Sequence, residues 1–502
     1  MRYDVVVVGG GSAGCVLANR LSEDPTRRVL LLEAGPDYRT VEALPADLAS
    51  GWAPAFSHDW GLRAEPAADG HVLELARAKV MGGCSSTNAT AALRGSPADY
   101  DAWAAAGNPG WAFKEVLPFF RALETDADFG GEPWHGDGGP LPIRRYRGEE
   151  LTGWSAAGLE AAVAAGHEPV EDHNRPGAVG AGPCPNNTLD GVRMSTSLTW
   201  LAAARGRPNL TVRPDTLVDR VVLAGGRAAG VRLAGGERVD AGLVVLAAGA
   251  YGSPVILLRS GVGPADELAA LGVPVAADLP GVGRNLTDHP LVRCAVPVRP
   301  GPPCPSFQVV VTWRSSLAAD GDLLDLHALP GRSDLAGAES PTGATGFVLV
   351  GLMKPRSRGR LWLRSADPAD PPHVDPAYLS HPDDLARMVE GLRMARALLR
   401  AGPLAALAAG PELAPGKRVA DGDQPALAAF VRADVSPYHH PVGTCAMGPD
   451  PTAGAVVDAR GRVHGVDSLV VADASVMPEI PAANTNLPTI MVGERIAAWL
   501  RA

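Results

Sequence analysis

The sequence predicts an α/β fold, α+β overall, in which a parallel sheet is assembled from discontinuous segments and joined to a second domain. The first part is predicted by a strand–turn–helix–strand pattern at 4–35 and by a return to apolar strand and helix within 436–502. The second domain is predicted to have an antiparallel β-sheet flanked by helices. Its alternating segments FQVVVTW, GFVLVGLM and GRLWLRS lie between 292 and 435, among Pro-rich turns and a helix from Pro382 to Leu399.

The opening segment DVVVVGGGSAGCVLANRLSEDPTRRVLLLEAG has the complete pattern of a βαβ dinucleotide-binding unit. Val5 to Val8 predict a buried strand, and a second apolar run, Val29 to Leu32, ends on Glu33. The G-x-G-x-x-G turn between them is formed by Gly9, Gly11 and Gly14. Such glycines let the backbone approach a pyrophosphate at a helix N-terminus, while the acid accepts a hydrogen bond from a ribose hydroxyl. The pattern predicts a Rossmann-like domain for an ADP-containing cofactor and leaves NAD and FAD both open.

Charge and composition argue against several classes of partner. The 502 residues carry a net charge of −10, which disfavours nucleic acid or an anionic membrane as the main partner. No apolar run reaches the ~18 residues of a membrane span. The first strand begins at Tyr3 or Asp4, which leaves no room for a signal peptide. Six scattered cysteines without a C-x-x-C pair give little support for a metal site or disulfides, so we expect a cytoplasmic protein with reduced thiols and no metal.

Three segments in the middle of the chain are rich in Gly or Pro. The loop ARAKVMGGCSSTNATAALRG (76–95) fits either a backbone that passes close to a flat polar ring or a purely structural turn. In AAGAYGSPVILLRSGVGP (247–264) we predict a helix that starts after Ser253 and Pro254 and stops at Gly261. In LPGVGRNLTDHP (279–290) the Asp288–His289 pair is a candidate catalytic pair, although fixation of the loop by hydrogen bonds is the favoured interpretation.

Two C-terminal segments contain the sharpest candidates for catalysis. SPYHHPVGTCAMG (436–448) places His439 and His440 in an irregular stretch, and DASVMPEIPAANTNLPTIMVGER (473–495) contributes Asp473, Asn484 and Asn486. On sequence alone, a histidine in a turn is more often structural than catalytic. His440, however, precedes a proline and lies beside small residues that leave room for a ligand.

The chain resembles the glucose-methanol-choline (GMC) oxidoreductases along its whole length. The resemblance rests on five motifs in order between residues 4 and 495: the opening fingerprint, RAKVMGGCSSTN, GAYGSPVILLRSGVGP, LPGVGRNLTDH, and HPVGTCAMG with NTNLPTIMVGER. It implies FAD-dependent oxidation of an alcohol to an aldehyde or ketone, with oxygen or a separate carrier as electron acceptor. The subgroups it resembles are the hydroxymethylfurfural and pyridoxine-type oxidases and the mycofactocin-associated dehydrogenases. A non-oxidative lyase or photodecarboxylase on the same fold is a further alternative.

The resemblance also implies roles for individual residues. His440 is the implied general base that removes the alcohol proton, Asn484 orients the hydroxyl, and His439 is the rival base. The residues implied to bind FAD are Gly9, Gly11, Ser12, Ala13 and Gly14 at the pyrophosphate, Glu33 with Ala34 at the adenosine ribose, Val218 at the adenine, Met81, Gly83, Asn88 and Ala89 at the isoalloxazine, Asp473 and Ala474 at the ribityl or phosphate part, and Asn484, Thr485 and Asn486 near the pyrimidine edge.

One departure from related sequences concerns how the flavin is attached. In choline oxidases a histidine bonded covalently to the flavin occupies the place of Thr87. Threonine cannot form that bond, so we expect noncovalent FAD. The substrate region also lacks an obvious cage of aromatic rings and a carboxylate for a quaternary ammonium, which makes choline a poor substrate candidate.

The predicted domain boundaries follow from these motifs. Three stretches are assigned to the FAD-binding domain: 1–150, 206–291 and 436–502, the last with the catalytic His and Asn. Residues 151–205 are predicted to form a substrate or cap-side segment, and 292–435 the substrate-binding domain.

Overall fold

A seven-stranded mixed sheet forms one half of the fold. The computed structural model describes residues 2–67, 70–302, 304–334 and 340–502. Six strands follow one another in the order Val218–Ala224, Arg227–Leu233, Arg238–Leu246, Arg2–Val8, Val29–Leu32 and Leu210–Arg213, and Leu469–Val471 pairs with Arg238–Leu246. The three strands between 218 and 246 form an antiparallel meander, and the other pairings are parallel. This arrangement confirms a Rossmann-like sheet assembled from discontinuous segments.

The register of the parallel strands brings their carboxyl ends to one edge. Val8 lies between Leu32 and Leu246, and Leu246 pairs in turn with Val471. The residues after these four strand ends therefore emerge side by side, although they are far apart in sequence. Ligands of open α/β sheets bind outside the carboxyl ends of the strands, so this edge is where a nucleotide is expected.

A six-stranded antiparallel sheet forms the other half. Its order is Ser436–Pro437, Pro290–Pro297, Thr345–Leu352, Leu326–Ser333, Val309–Trp313 and Ala181–Pro183. One face packs in a core with the helices Gly153–Ala164, Pro382–Arg400 and Gln424–Asp434. Because side chains alternate along a strand, Val292 and Cys294 enter this core, while Leu291 packs on the opposite face with Ala91 and Ala482. That opposite face therefore contacts the nucleotide-binding half of the molecule.

Among the remaining elements, the helices Ser12–Leu21 and Asn486–Arg501 pack together. The other α-helices are Ala46–Ala49, Pro97–Ala105, Phe113–Leu123, Ala202–Ala204, Gly249–Arg259, Ala265–Ala270 and Gly402–Ala405. The 3₁₀ turns are Val41–Ala43, Gly83–Ser86, Gly148–Glu150, Pro451–Ala453 and Ala474–Val476, and Ser197–Leu201 is a π-helix. Small strand pairings join Glu124–Asp126 to Leu141–Arg145, Leu141–Arg145 to Pro185–Asn186, Thr188–Leu189 to Val192–Arg193, Val262–Gly263 to Ala277–Asp278, and Arg360–Trp362 to His373–Asp375. Within the described ranges, no helix is both long enough and apolar enough to cross a bilayer.

The segment predicted as a cap-side unit, 151–205, divides between the two halves. Its strand Ala181–Pro183 belongs to the antiparallel sheet, and its helix Gly153–Ala164 packs on that sheet. The π-helix Ser197–Leu201 packs instead against the helix Ser12–Leu21. The four boundaries between the five predicted segments stay predictions.

The segment GRLWLRS forms an antiparallel strand as predicted, Arg360–Trp362, which pairs with His373–Asp375 outside the six-stranded sheet. One predicted element is wrong in detail. The helix predicted to start after Pro254 begins at Gly249, so the proline lies inside it. Proline has no N–H for the carbonyl of Ala250, and that carbonyl instead accepts a hydrogen bond from the Thr444 hydroxyl at 2.5 Å.

Candidate active site

The glycines of the fingerprint are required by close backbone packing. Gly9 has a φ of +98°, and a Cβ there would lie 2.5 Å from the carbonyl oxygen of Ala247. A Cβ on Gly14 would lie 1.8 Å from the carbonyl oxygen of Gly9, so the helix packs directly on the strand end. Gly11 is the N-cap of the helix Ser12–Leu21, whose first turn presents the backbone N–H groups of Ser12 and Ala13. The segment thus has the geometry of a pyrophosphate-binding turn.

A second helix N-terminus meets the first one. Thr485 is the N-cap of the helix Asn486–Arg501, and the Asn486 side-chain oxygen accepts a hydrogen bond from Ser12 Oγ at 3.0 Å. Gly493 lets this helix approach Ala13, since a Cβ there would lie 3.2 Å from the Ala13 Cα. The Asn486 Nδ2 is buried and has no hydrogen-bond partner among the described residues. Two helix dipoles and an unpaired amide donor at one place favour an anionic or carbonyl-bearing ligand.

Glu33 lies at the end of the neighbouring strand, as the fingerprint predicts. Its carboxylate accepts hydrogen bonds from the N–H groups of Gly10 and Gly35, each at 2.8 Å. Burial raises the pKa of this carboxyl to about 7 against the opposing effect of those N–H donors. Ala34 is adjacent, and the N–H of Thr216 bonds the Glu33 carbonyl at 2.7 Å, which brings the strand beginning at Val218 to the same edge.

The loop 76–95 lies against the fingerprint. A Cβ on Gly83 would lie 2.7 Å from the Cα of Gly11, and a Cβ on Gly10 would lie 2.4 Å from the Met81 sulfur. The Gly82 N–H also donates to the Gly10 carbonyl at 2.6 Å. Further along, the half-buried Asn88 and Ala89 precede Thr90, whose N–H bonds Asn88 Oδ1 at 2.9 Å. The loop is therefore both a structural turn and a wall of the nucleotide-binding edge.

Asp473 follows the strand Leu469–Val471 and acts as a cap inside the protein. One carboxylate oxygen accepts from the Gly249 N–H at 2.9 Å and the Ser253 hydroxyl at 2.6 Å. The other accepts from the N–H and hydroxyl of Ser475, at 2.8 and 2.5 Å. These bonds anchor the helix Gly249–Arg259, and they place Asp473 and Ala474 at the carboxyl edge of the sheet. A contact of either residue with the cofactor stays a prediction.

His440 and Asn484 are brought together by the fold. The His440 Nε2 lies 3.2 Å from the Asn484 Nδ2, and the Asn484 Oδ1 is buried without a hydrogen-bond partner in the described part of the chain. On the other side of the ring, His440 Nδ1 lies 3.0 Å from His289 Nδ1. His289 Nε2 in turn lies 3.0 Å from the carbonyl oxygen of Met353.

This chain of contacts assigns the tautomer of His440. A carbonyl oxygen only accepts, so His289 must carry its proton on Nε2 and, when neutral, a lone pair on Nδ1. His440 must then donate from Nδ1, which leaves the lone pair on its Nε2, beside Asn484. The Met353 carbonyl thus fixes, through His289, which nitrogen of His440 carries the lone pair.

Both histidines are kept neutral by their surroundings. Burial lowers the pKa of His440 well below its usual value, and the neighbouring His289, His327 and Arg77 lower it further. Burial likewise lowers the pKa of His289. A neutral imidazole at physiological pH is the form that accepts a proton.

The Asp288–His289 pair holds His440 in place, as the favoured interpretation of the sequence expected. Asp288 accepts the backbone N–H of His440 at 2.7 Å and the Tyr378 hydroxyl at 2.7 Å. Burial raises the pKa of the Asp288 carboxyl to about 6, which the two donors oppose. His289 fixes the ring while Asp288 fixes the backbone, so both are positioning residues.

The rival base, His439, faces different neighbours. Its backbone has a φ of +64°, and its carbonyl accepts from the Arg77 guanidinium at 2.8 Å. Its ring lies 6.4 Å from that of Phe56, which is an exposed side chain. Burial and Arg77 lower its pKa to about 4. The ring of His440, not that of His439, contacts Asn484.

Three residues near His440 were not predicted from the sequence. Tyr438 has its ring 4.3 Å from that of His440, His327 lies 5.2 Å beyond Tyr438, and Met353 supplies the carbonyl that orients His289. The position of Tyr438 near His440 could have been predicted, since both residues belong to the same motif. His327 and Met353 had none, because their positions depend on the register of the antiparallel sheet.

A separate buried cluster has side chains of the metal-ligand types, and these side chains already pair with charged neighbours. Ligand atoms of Glu124, Asp126 and His135 lie within 4.8 Å of one another. His135 Nδ1 contacts Glu124 at 2.8 Å and Asp126 at 3.0 Å, and its Nε2 contacts Asp172 at 2.9 Å. Arg145 bonds Asp126 and Asp172, each at 2.8 Å, and Arg94 bonds Glu124. Guanidinium and imidazole groups therefore already compensate these carboxylates; we name this set the buried ionic network.

Comparison with known proteins places the chain in a family. The GMC oxidoreductase family models match residues 3–291 and 355–493. The 5-(hydroxymethyl)furfural oxidase of Methylovorus sp. (strain MP688) is 39% identical over 99% of this chain and 98% of its own, and the mitochondrial choline dehydrogenase of Mus musculus is 37% identical over 99% and 89%. The crystal structure of pyridoxine 4-oxidase from Mesorbium loti superposes with a TM-score of 0.91 at 35% identity, over 99% of both chains. The chain belongs to the GMC oxidoreductase family and is an FAD-dependent oxidoreductase that acts on alcohol-type donors.

Proposed function

We propose that the protein oxidises a primary alcohol to an aldehyde with His440 as the general base and Asn484 as its partner. The observation that carries the proposal is the neutral His440 ring, whose basic Nε2 lies 3.2 Å from the Asn484 amide. An alcohol is a poor hydride donor until its hydroxyl proton is removed. A base oriented by two further groups, His289 and Asp288, is suited to that step.

The proton moves between two defined atoms in this proposal. The substrate hydroxyl gives its proton to His440 Nε2, while the Nδ1–H remains hydrogen-bonded to His289. Substrate binding must turn the Asn484 Nδ2–H away from His440 Nε2, which it approaches at 3.2 Å, so that this N–H donates to the developing alkoxide oxygen and stabilises its charge. When bound, FAD supplies the acceptor for the hydride that leaves the carbinol carbon. Because burial disfavours a charged His440, the imidazolium releases its proton to solvent water once the product has left.

The nucleotide-binding edge fits FAD. Its two converging helix N-termini, the glycine turn and the unpaired Asn486 Nδ2 match a pyrophosphate and a polar ring edge. We assign the pyrophosphate to the Gly9–Gly14 turn, the ribose to Glu33 and the ring to the loop that contains Met81 and Gly83. Thr87 supports noncovalent attachment, so acid precipitation should release all the flavin into the supernatant. Colour that stays in the pellet would contradict this part of the proposal.

The substrate and the acceptor are proposed from the relatives. The names 5-(hydroxymethyl)furfural oxidase and pyridoxine 4-oxidase support a hydroxymethyl group on a flat ring as the substrate of this chain. Oxygen or a separate carrier is the proposed acceptor. All six cysteines are free thiols, which supports the expected cytoplasmic setting.

The test is anaerobic reduction of the purified flavoprotein by a panel of primary alcohols, followed by admission of air. Bleaching with rapid reoxidation and peroxide formation would identify an oxidase and its substrate class. Bleaching that persists in air would identify a dehydrogenase that needs a dedicated acceptor. Failure of every alcohol to bleach the flavin would refute the proposed oxidation.

A further inference from the structure

The backbone that leads to Asn484 is irregular and is held by side chains from other parts of the chain. The Ile480 carbonyl accepts a hydrogen bond from Lys354 Nζ at 3.2 Å. Two residues further on, the Ala482 N–H donates to Asp99 Oδ2 at 3.1 Å. Backbone groups outside helices and strands need partners of this kind, so Lys354 and Asp99 fix the course of the chain just before Asn484.

These two side chains form a buried ion pair. Lys354 Nζ lies 3.1 Å from Asp99 Oδ1, and the side chains are 14% and 4% exposed. The other oxygen of Asp99 also accepts the N–H and the hydroxyl of Ser96, at 2.8 and 3.0 Å. Burial lowers the pKa of Lys354, but Asp99 and Glu479 outweigh burial and raise that pKa above its usual value, so the ammonium is charged. Removal of one partner would leave the other as an uncompensated buried charge.

The helix that contains Asp99 contacts the same segment at a second point. From this helix, the Trp103 Nε1–H donates to the Glu479 carbonyl at 3.0 Å. Gly95, just before the helix, has a φ of +89°, and a Cβ there would lie 3.1 Å from Asp99 Oδ2 and 3.2 Å from the Pro481 Cβ. The carboxylate and the segment therefore meet where the lack of a side chain lets them approach.

The ammonium also belongs to the second support of the candidate active site. Lys354 directly follows Met353, whose carbonyl orients His289 and, through it, His440. The charge of Lys354 is close enough to His289 to lower the pKa of that ring. The backbone before Asn484 and the carbonyl that orients the histidines are thus joined at one ammonium.

We propose that the buried pair of Asp99 and Lys354 positions Asn484 for alcohol oxidation. The pair holds the backbone before Asn484 against the strand end that carries Met353, and it so sets the 3.2 Å approach of the Asn484 amide to the histidine base. This inference rests on the proposed function and adds two positioning residues that act through other side chains. A small displacement of a catalytic group is costly in rate, so loss of the pair should slow the chemical step.

The experiment is anaerobic stopped-flow reduction of the intact flavoprotein by a primary alcohol that bleaches the native enzyme. In Asp99→Asn the amide oxygen stays with the N–H groups of Ser96 and Ala482, which turns the amide N–H groups toward the Lys354 ammonium. The limiting rate constant of flavin reduction should fall by about tenfold or more, and by a larger factor than the alcohol dissociation constant rises. Partial loss of folded protein lowers the amplitude of bleaching and leaves the rate constant unchanged, so the two effects are separated.

A second variant and a matched control accompany the first. Lys354→Met removes the ammonium and should slow flavin reduction in the same direction, and either variant alone is sufficient if the other fails to fold. The control Glu412→Gln breaks an ion pair with Arg396 whose side chains are similarly buried, 13% and 2% exposed. Arg396 lies on a helix that covers the opposite face of the antiparallel sheet, so this variant should keep the native rate constant.

A double-mutant comparison tests whether the pair acts through Asn484. In an Asn484→Ala background the group that the pair positions is absent. Asp99→Asn should then slow flavin reduction by less than about threefold, instead of tenfold or more. An equal loss in both backgrounds would mean that Asp99 acts independently of Asn484, which would overturn the inference.

The remaining outcomes separate this inference from the proposed function. Native rate constants in both Asp99→Asn and Lys354→Met would overturn the positioning role and leave the proposed oxidation intact. An equal slowing in Glu412→Gln would also overturn it, because loss of any buried ion pair would then have the same effect. A native rate constant in Asn484→Ala alone, or no flavin reduction by any alcohol, would overturn the proposed function and this inference together.

Discussion

Two buried histidines in this protein have opposite charge states. His440, in the candidate active site, is 9% exposed, and His135, in the buried ionic network, is 1% exposed. Burial lowers the pKa of both, but the neighbours of His440 are histidines and Arg77, which lower it further. Around His135, hydrogen bonds to Asp126, Asp172 and Glu124 outweigh burial and raise the pKa to about 10. The comparison teaches that neighbours, rather than burial alone, decide what a buried histidine is able to do.

The two charge states give the two histidines different roles, one in catalysis and one in stability. A neutral His440 keeps a lone pair on Nε2 and is available as a base. A protonated His135 donates from both nitrogens to carboxylates and has no lone pair for a substrate or a metal. Mutation of the first should therefore affect rate, and mutation of the second should affect stability.

The largest expected effect is on the rate of flavin reduction in His440→Ala. Loss of the general base should slow reduction by an alcohol by roughly 10²- to 10⁴-fold while FAD is retained. Stopped-flow absorbance measures the rate, and the flavin-to-protein ratio checks retention. His439→Ala is the neighbouring control and should retain most of the activity. An unaffected rate in His440→Ala, or an equal loss in His439→Ala, would refute the assignment of the base.

The second effect is on folding, in His135→Leu. Removing the imidazolium leaves buried carboxylates without one of their compensating charges, which should cost about 3–5 kcal/mol of unfolding free energy. Denaturant titration of the flavoprotein measures the change. Glu150→Gln, in the Arg144–Glu150 pair with side chains 35% and 48% exposed, is the control and should change stability by less than about 1 kcal/mol. If the two variants were equally stable, the buried ionic network would not be an important source of stability.

The sequence predicts those residues of the fold and the candidate site whose positions depend on neighbours in the chain, and it misses those whose positions depend on distant segments. The fingerprint glycines and Glu33 belong to one local motif, so their positions were predicted from the residues themselves, whereas the His440–Asn484 pair was implied only by the family resemblance. The role of Met353 was not predicted, because its carbonyl reaches His289 only through the register of distant strands. The start of the helix at Gly249 was missed for a similar reason. The hydroxyl that compensates for Pro254 comes from Thr444, which bonds a carbonyl 194 residues away.

The buried ionic network was missed because its charges come from separate segments. His135 lies in the loop-like segment WHGDGGPLPIRR (134–145), and nothing in that segment pairs it with Asp172. Sequence reasoning treats an isolated histidine as neutral and close to its ordinary pKa. Only the fold brings three carboxylates to one ring.

The third prediction tests the positioning of His440 through His289→Leu. The variant removes the acceptor for His440 Nδ1–H, so the ring loses its fixed tautomer and orientation, and flavin reduction should slow by roughly 10- to 10²-fold. His289 also lowers the pKa of His440, so the acid limb of the pH–rate profile should move to higher pH. In the native enzyme this limb should lie well below pH 6.5. His464→Leu, which removes a histidine bonded to the Gly448 carbonyl, is the control. A slower rate without a shifted limb would indicate a merely structural role.

The last prediction concerns the pH dependence of stability that His135 confers. Its pKa is about 10 in the folded protein and near 6.5 when unfolded, so the folded state holds a proton that the unfolded state releases between these values. Stability from this group is therefore complete below pH 6.5 and is lost as the pH rises toward 10, by up to about 1.4 kcal/mol per pH unit. Other groups titrate in the same range, so the quantity to measure is the difference in unfolding free energy between the native protein and His135→Leu at several pH values. That difference should shrink from pH 6.5 to pH 10. A constant difference would mean that His135 is neutral in the folded protein, like His440, and that the contrast between the two histidines does not exist.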